Sequence, residues 1–513
     1  MNPVFSLENI YRQYLHCRKN KRNTINALRF EYNLEENLAK LHDELVAQTY
    51  SPSRSVCFVL KQPKLRDIFA ADFRDRVVHH ILVDYLEKFW EPIFIYDSYA
   101  CRRGKGTQRA VKRLQGFTRR AGSSGNSRAY FIQLDIQGFF LNINKEVLYQ
   151  IVAKRIRDEV ILWLARKVIF HDCTRDVIFK GKKELLKGIP SHKTLFGTKN
   201  ERGLPIGNLS SQFFANVYLN ELDQFVKHHL KARYYIRYSD DCVLLHEKKE
   251  RLLEWREEIG AFLKDRLRLE LNNKRQKSGL ISNGIDFLGY IVRPDYLLAR
   301  RRVVNRLKAR LMQYEKLLNR TTNYNSSVPP FEKGGGELVT NKDYRVLIYE
   351  PAVLEKLMNS WASYMAHLDM ASTYRLREKL LRRFAWLGDL FQLNGYKLKR
   401  IYEAPATLST LKGQYRFFLG RYPGAVLFFQ VGSFYEFYDS QAETAIKVLG
   451  LKRMEATRRF QARCGFPMSL KEKYLGSLIK QGLSVYIVNE GEGWVTRVKK
   501  RRVAESWLPM SAE

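Results

Sequence analysis

The sequence predicts an α+β chain built as several domains, and three observations carry that expectation. From Ser51 to about Val292, short apolar runs of strand type alternate with longer helical stretches. Val303–Leu318, and later Ala352–Leu393, repeat apolar residues with a 3.6-residue period. After Ala404-Pro405 the strand-like runs return, at Ala425–Val431 and Leu483–Val488.

Taken in order, the first fifty residues read as helices with basic faces, at Leu7–Leu15 and Leu34–Leu45, and make an N-terminal helical extension over 1–50. Residues 51–300 form the α+β core, 301–403 a basic helical region and 404–513 a small α/β module. Inside the helical region, 319–344 is polar, holds Pro329-Pro330 and Gly334-Gly335-Gly336, and reads as a flexible insertion.

Composition narrows the class. The chain has 513 residues, of which 45% are hydrophobic and 13% aromatic, enough to bury sizeable cores and to exclude wholesale disorder. Lys and Arg number 89 against 53 Asp and Glu, a formal charge of +36. A surplus of that size in a folded chain calls for a polyanion, nucleic acid first. A membrane surface fits less well, because no lipidation motif or polybasic amphipathic anchor is present. The longest apolar stretch, Val160–Phe170, is interrupted by Arg166 and Lys167, so no membrane-spanning helix is expected. The N-terminus lacks the pattern of a secretory signal, and the six cysteines include no C-x-x-C pair. A reduced, cytoplasmic protein without a zinc knuckle is expected.

The strongest chemical signal is Arg237-Tyr-Ser-Asp240-Asp241, flanked by Tyr234–Ile236 and Cys242–Leu245. Two β-rich runs around an acidic pair describe a hairpin with carboxylates near its turn. Upstream, Ala129–Asp135 is another apolar strand ending in an acid. Adjacent acids repel, and cations or basic groups must compensate them. Strand ends of this kind suit two divalent ions, which promote in-line displacement at phosphorus. Oxygen ligands favour Mg²⁺. On its own, Tyr-x-Asp-Asp reads equally well as an ordinary turn.

Order adds to this. Asp135-Ile-Gln-Gly-Phe-Phe140 comes first, Leu204-Pro-Ile-Gly207-Asn-Leu-Ser-Ser211-Gln212 second and Tyr238–Asp241 third, followed by Leu271-Asn-Asn-Lys274 and Gly284–Tyr290. The series resembles the palm motifs of reverse transcriptases, with Lys61–Arg76 and Ser98–Thr107 resembling the fingers. The resemblance covers about Ser51–Val292 and implies a right-hand fold of fingers, palm and thumb. It implies Asp135 and Asp240 as ligands of two Mg²⁺ ions, with Asp241 beside them and the carbonyl of Ile136 as a further ligand. Phe140 is then the aromatic gate that excludes a 2′-hydroxyl, although core packing would also account for it. Lys64 and Arg66 would neutralise the incoming triphosphate, Arg with the better bidentate geometry. Lys274 would protonate the departing pyrophosphate, in a register left open by the neighbouring Arg275 and Lys277.

Most reverse transcriptases have Gln before the Gly of the second motif and Pro after its Ser. Ile206 and Gln212 stand there instead, and this variant resembles the enzymes of diversity-generating retroelements. Those copy a template-repeat RNA with errors at adenines. An aliphatic side chain next to the nascent pair removes a polar contact, and discrimination that rests on such a contact weakens. The implied partners are template RNA, the RNA–DNA hybrid, deoxynucleotide triphosphates and a retroelement accessory protein, in a prokaryotic or phage setting. Ser239 replaces the commoner Met or Ala, and no RNase H acid set or HNH-type cluster follows. Retron-like and intron-encoded enzymes stay open within the class. Outside it, the rival is a non-catalytic nucleic-acid scaffold, which the intact acids oppose.

From about Thr407 the chain resembles the mismatch-recognition domain of MutS. Leu427–Tyr438, with Gly432-Ser-Phe434-Tyr435-Glu436, carries the likeness, together with Cys464–Pro467 and Leu475–Val488. The resemblance implies Phe434 as a wedge beside a mispaired base and Glu436 as its hydrogen-bonding partner, with mismatched DNA as ligand. Ser433 departs from the family's usual Asp. No phosphate loop is present, so the MutS ATPase is not expected. The basic run Val498–Arg502 reads as a phosphate contact or a solvated tail.

Overall fold

The computed structural model describes residues 2–19, 24–61, 64–122, 128–199, 201–318, 344–457, 460–479 and 481–509. The chain divides into two compact units, Met1–Leu297 and Leu298–Glu513. Among the described residues, no helix is long and apolar enough to cross a membrane.

The first unit begins with helices α1 (Leu7–Arg18), α2 (Ile25–Tyr32) and α3 (Leu34–Val46). Ile10, Tyr14, Ala27, Phe30, Leu38, Leu41 and Leu45 recur at helical spacing and turn into the core shared with α4 (Phe73–Trp90). Strands β1 (Ser55–Leu60) and β2 (Arg66–Ala70) form an antiparallel pair. Helix α5 (Thr107–Gly122) then leads to β3 (Tyr130–Asp135). Helices α6 (Phe139–Asn142), α7 (Lys145–Ala153) and α8 (Glu159–Phe170) follow, then β4 (Val177–Phe179), parallel to β1. The apolar Val160–Phe170 run therefore lies in a core helix of twelve residues, capped by Asp158.

Helix α9 (Leu209–Gln224) buries Phe214, Tyr218 and Leu222. Strands β5 (Tyr234–Tyr238) and β6 (Asp241–His246), helix α10 (Lys249–Leu267) and β7 (Lys277–Leu280) complete the motif region. The four-stranded antiparallel sheet has the order β5-β6-β3-β7. A short hairpin, β8 (Ile285–Phe287) and β9 (Tyr290–Val292), follows, and β10 (Leu297–Ala299) crosses the division between the units.

The second unit carries α11 (Arg301–Leu318), β11 (Tyr344–Ile348), α12 (Pro351–Asp369), α13 (Tyr374–Arg383) and α14 (Leu387–Leu390). The expected insertion lies, but for Tyr344, outside the described residues. Helical structure stops at Leu390, earlier than the periodicity suggests. Phe391–Asn394 and Lys397–Arg400 are instead strands β12 and β13 of a hairpin, because Gly395, at φ +58°, permits a tight turn. Next come α15 (Leu411–Arg421), β14 (Val426–Val431), β15 (Phe434–Tyr438), α16 (Ser440–Leu449), β16 (Arg463–Pro467), α17 (Lys471–Ile479), β17 (Val485–Val495) and β18 (Val498–Pro509). They form a six-stranded sheet of order β11-β18-β17-β14-β15-β16.

The expected boundary at 403/404 falls inside this unit. Leu307, Trp361 and Leu380 share one core with Leu427, Phe429, Val488 and Val503, and β11 pairs with β18. Val498–Arg502 is not a tail. It opens strand β18 and pairs with the end of β17, and alternation turns Arg501 inward to pair with Glu490 at 2.7 Å.

Candidate active site

In the first unit, antiparallel pairing sets Asp135, the last residue of β3, directly opposite Asp241, the first of β6. Asp240 occupies the turn between β5 and β6, after Ser239 at φ +56°. Burial raises the pKa of Asp240, and the negative field of Asp135 adds to it, while Arg66 pulls it back. Asp241 is pushed up to about 7, first by burial, then by Asp240 and Asp135. All three carboxylates therefore stand at one end of the sheet.

Buried partners beneath the turn hold it. Arg237 and Asp223 are both fully buried, and Asp223 accepts from Arg237 Nη2 at 2.6 Å, from Nε at 2.8 Å and from the Tyr235 hydroxyl at 2.8 Å. Burial alone would lower the Arg237 pKa; the Asp223 carboxylate reverses this and leaves it raised. The second terminal nitrogen of Arg237 donates to the Ser239 carbonyl at 3.0 Å and to Asn216 at 3.2 Å. Sequence reasoning missed this pair. The signal available was an Arg at the inward parity of an apolar strand, two residues after Tyr235.

Asp135 has its own neighbours. Asn272 donates to its Oδ2 at 2.8 Å, and Arg275 Nη1 stands 3.6 Å from the same atom. Lys274 and Arg275 are both exposed in the same short turn, and Arg275 is the one paired with Asp135. The backbone N–H of Asn272 also donates to the Asp135 carbonyl, and Ile136 bridges Leu271. The Leu271–Arg275 segment is thereby fixed beside the carboxylates.

The second motif lies along β2. The Phe69 N–H donates to the Ile206 carbonyl at 3.0 Å, and the Ala71 N–H to Asn208 Oδ1 at 3.0 Å. Gly207, at φ +129°, is required there. A Cβ would stand 2.9 Å from Ile68 Cγ2 and 3.0 Å from the Phe69 carbonyl oxygen. Ile206 is half-buried, Gln212 is exposed in the first turn of α9, and Lys64, just before β2, and Arg66, its first residue, are exposed. Phe140 is half-buried against Phe139, with ring centroids 5.4 Å apart.

In the second unit, Phe434 stands at the start of β15 and is 45% exposed. Glu436 does not share that exposure. It is 6% exposed and holds Arg463 through two hydrogen bonds at 2.7 and 3.0 Å, with the Tyr438 hydroxyl at 2.6 Å. A buried carboxylate must be paired, and here its partners lie within the sheet. In this structure the Glu436 carboxylate is thus engaged within the sheet and not presented at the surface.

Two stretches of the chain match known families. Residues 59–292 match reverse transcriptase (RNA-dependent DNA polymerase), and residues 410–509 match MutS domain I. The chain carries one domain of each kind, and the first sets its enzyme class as RNA-directed DNA polymerase. It is 25% identical over 301 residues to protein YkfC of Escherichia coli K12, covering 52% of this chain and 74% of that one. It is 23% identical over 324 residues to the group II intron-encoded protein LtrA of Lactococcus lactis, half of each chain. Over 101 residues it is 41% identical to the DNA mismatch repair protein MutS of Cytophaga hutchinsonii, covering 19% of this chain and 12% of that protein. The chain thus spans half the length of the intron-encoded relative.

A hard divalent cation at this sheet end would suit its carboxylates and offset the mutual repulsion that, after burial, raises Asp240 and Asp241. Among the described residues, no group of three or more His, Cys, Asp or Glu stands close enough to hold an ion as it is.

Proposed function

We propose that the chain synthesises error-prone cDNA on a template RNA, as the polymerase of a diversity-generating retroelement. The observation that carries the polymerase reading is Asp135 set opposite Asp241, with Asp240 in the adjoining turn. The retroelement reading rests on Ile206 and Gln212 in the second motif.

In this reading Asp135, Asp240 and the Ile136 carbonyl hold two Mg²⁺ ions, with Asp241 next to them. When bound, such ions lower the pKa of an attacking hydroxyl and stabilise a leaving oxygen. The chain's own groups do the rest. Lys64 and Arg66 neutralise the triphosphate, and Phe140 fills the space a 2′-hydroxyl would need. Ile206, Gly207 and Gln212 line the nascent pair without the usual amide. Lys274, or its neighbour Arg275, donates the proton to departing pyrophosphate. The MutS-like segment brings Phe434 to distorted DNA, such as cDNA paired with a parental strand from which it differs.

A second reading, a group II intron-type reverse transcriptase, is favoured by the likeness to LtrA. Primer extension on RNA with Mg²⁺ and deoxynucleotides tests the site shared by both readings. Asp240→Ala is expected to abolish extension and leave RNA binding within about threefold, because many phosphate contacts act in parallel. Extension by the purified variant at the wild-type rate would overturn the assignment and favour a binding scaffold.

A further inference from the structure

Almost every aromatic ring in the six-stranded sheet of the second unit is buried. Phe428, Phe429, Tyr435, Phe437, Tyr438 and Phe466 are all 2% exposed or less. Among the described residues, two rings depart from this pattern, Phe434 at 45% and Trp494 at 64% exposure. Leaving an indole in water forfeits one of the largest burial gains any side chain offers, so its position invites a partner.

The sheet topology brings the two rings to one end. Strands β14 and β17 run parallel, with Phe429 opposite Val488. The β14–β15 turn that precedes Phe434 and the β17–β18 tip that carries Trp494 therefore point the same way. Glu490 ties them together. It accepts from the Gly432 N–H at 3.3 Å in the first turn and from Arg501 Nη2 at 2.7 Å in β18, and its own N–H donates to Gln430 at 2.9 Å. Trp494 follows Glu490 by four residues, so it stands at most about 13 Å beyond that anchor at about 3.3 Å per residue.

The tip is also basic. Trp494 pairs across the hairpin with Lys499, whose ammonium lies 5.8 Å from the ring and 3.1 Å from Glu490. Arg497 in the turn is exposed and Lys500 half-exposed, against one exposed acid, Glu492. Gly491 and Gly493 add no side chains of their own before the ring.

We propose that Trp494 is a second DNA-contacting aromatic, stacking on an unpaired base while Arg497 and Lys500 hold the adjoining phosphates. Stacking on an exposed ring beside basic side chains is a sequence-tolerant way to hold single-stranded segments. The placement rests on the proposal that the second unit reads distorted DNA, and deepens it. Phe434 meets the distorted step, and Trp494 takes a base released from the stack beside it.

The test uses the full chain and three DNA probes at one fixed salt concentration: matched duplex, duplex with one mismatch, and single strand. Salt must be held because phosphate contacts alone shift affinity strongly. Trp494→Ala is expected to weaken single-strand and mismatch binding roughly five- to hundredfold more than matched-duplex binding. Trp494→Phe, which keeps a ring, should recover most of the loss. A thermal melt on each variant checks that the hairpin is intact. Equal affinities of Trp494→Ala and wild type on all three probes would overturn the proposal, as would an equal loss on all three. If wild type prefers mismatched DNA and Trp494→Ala retains that preference, the stacking site falls and the mismatch reading stands. If wild type shows no such preference but Trp494→Ala loses single-strand affinity, the mismatch reading falls and the stacking site stands.

Discussion

Asp223→Ala leaves a fully buried guanidinium without its counter-charge. In the native chain Arg237 Nε and Nη2 and the Tyr235 hydroxyl all donate to Asp223, at 2.6–3.0 Å. Breaking one side of a buried ion pair costs about 3–5 kcal/mol, far more than the net worth of the pair, because the remaining charge stays desolvated. The first unit has 297 residues. With an unfolding entropy near 2.1 cal/mol/K per residue, its Tm should fall by about 5–8 °C. A functional loss should accompany the melt. Arg237 also donates to the Ser239 carbonyl, so a shifted guanidinium displaces the turn that carries Asp240. Small misplacements of reacting groups cost large factors, and primer extension should drop roughly ten- to hundredfold. Asp223→Asn, which keeps the shape and one acceptor, should lie between. Differential scanning calorimetry and single-nucleotide extension give the two readouts. A Tm within about 1 °C of wild type for Asp223→Ala, with unchanged extension, would refute the view that this pair anchors the turn.

Three further substitutions probe the rest of the site. Gly207→Ala should cost about 1–3 kcal/mol of local strain and raise the KM for deoxynucleotide, because its Cβ meets Ile68 and the Phe69 carbonyl; steady-state extension measures it. Ile206→Gln should lower misincorporation opposite template adenine severalfold, read by sequencing cDNA from one template, and an unaltered adenine error rate would make Ile206 a packing residue only. Arg275→Ala should slow extension more than Lys274→Ala, because Arg275 is the cation beside Asp135. The reverse order would restore Lys274 as the working group.

Much of the catalytic region could be read along the chain because its information is local. An apolar strand that ends in an acid, a turn between two β-rich runs and a glycine before a helix each declare themselves within a few residues. The structure keeps all three, with Asp135 at the end of β3, Asp240 in the β5–β6 turn and Gly207 pressed against β2. Periodicity likewise located α11 and α12, which begin within two residues of Val303 and Ala352. It overran at Phe391–Asn394, where local apolar spacing competes with a tight turn at Gly395 and the hairpin wins.

What each charged group faces could not be read this way, because it depends on residues brought together across the fold. Asn272 reaches Asp135 from 137 positions away, and register, not composition, puts Arg275 rather than Lys274 beside it. Val498–Arg502 looks like a basic tail in one dimension. Paired with β17, the same run must alternate faces, and Arg501 is buried against Glu490. Glu436 follows the same rule. Its neighbours in sequence suggest an outward-facing reader, but β15 pairs with β16, and Arg463 takes the carboxylate. Local sequence sets the backbone period and the chemistry of each side chain. Desolvation then obliges every buried charge to find a partner, and long-range strand pairing decides which partner that is.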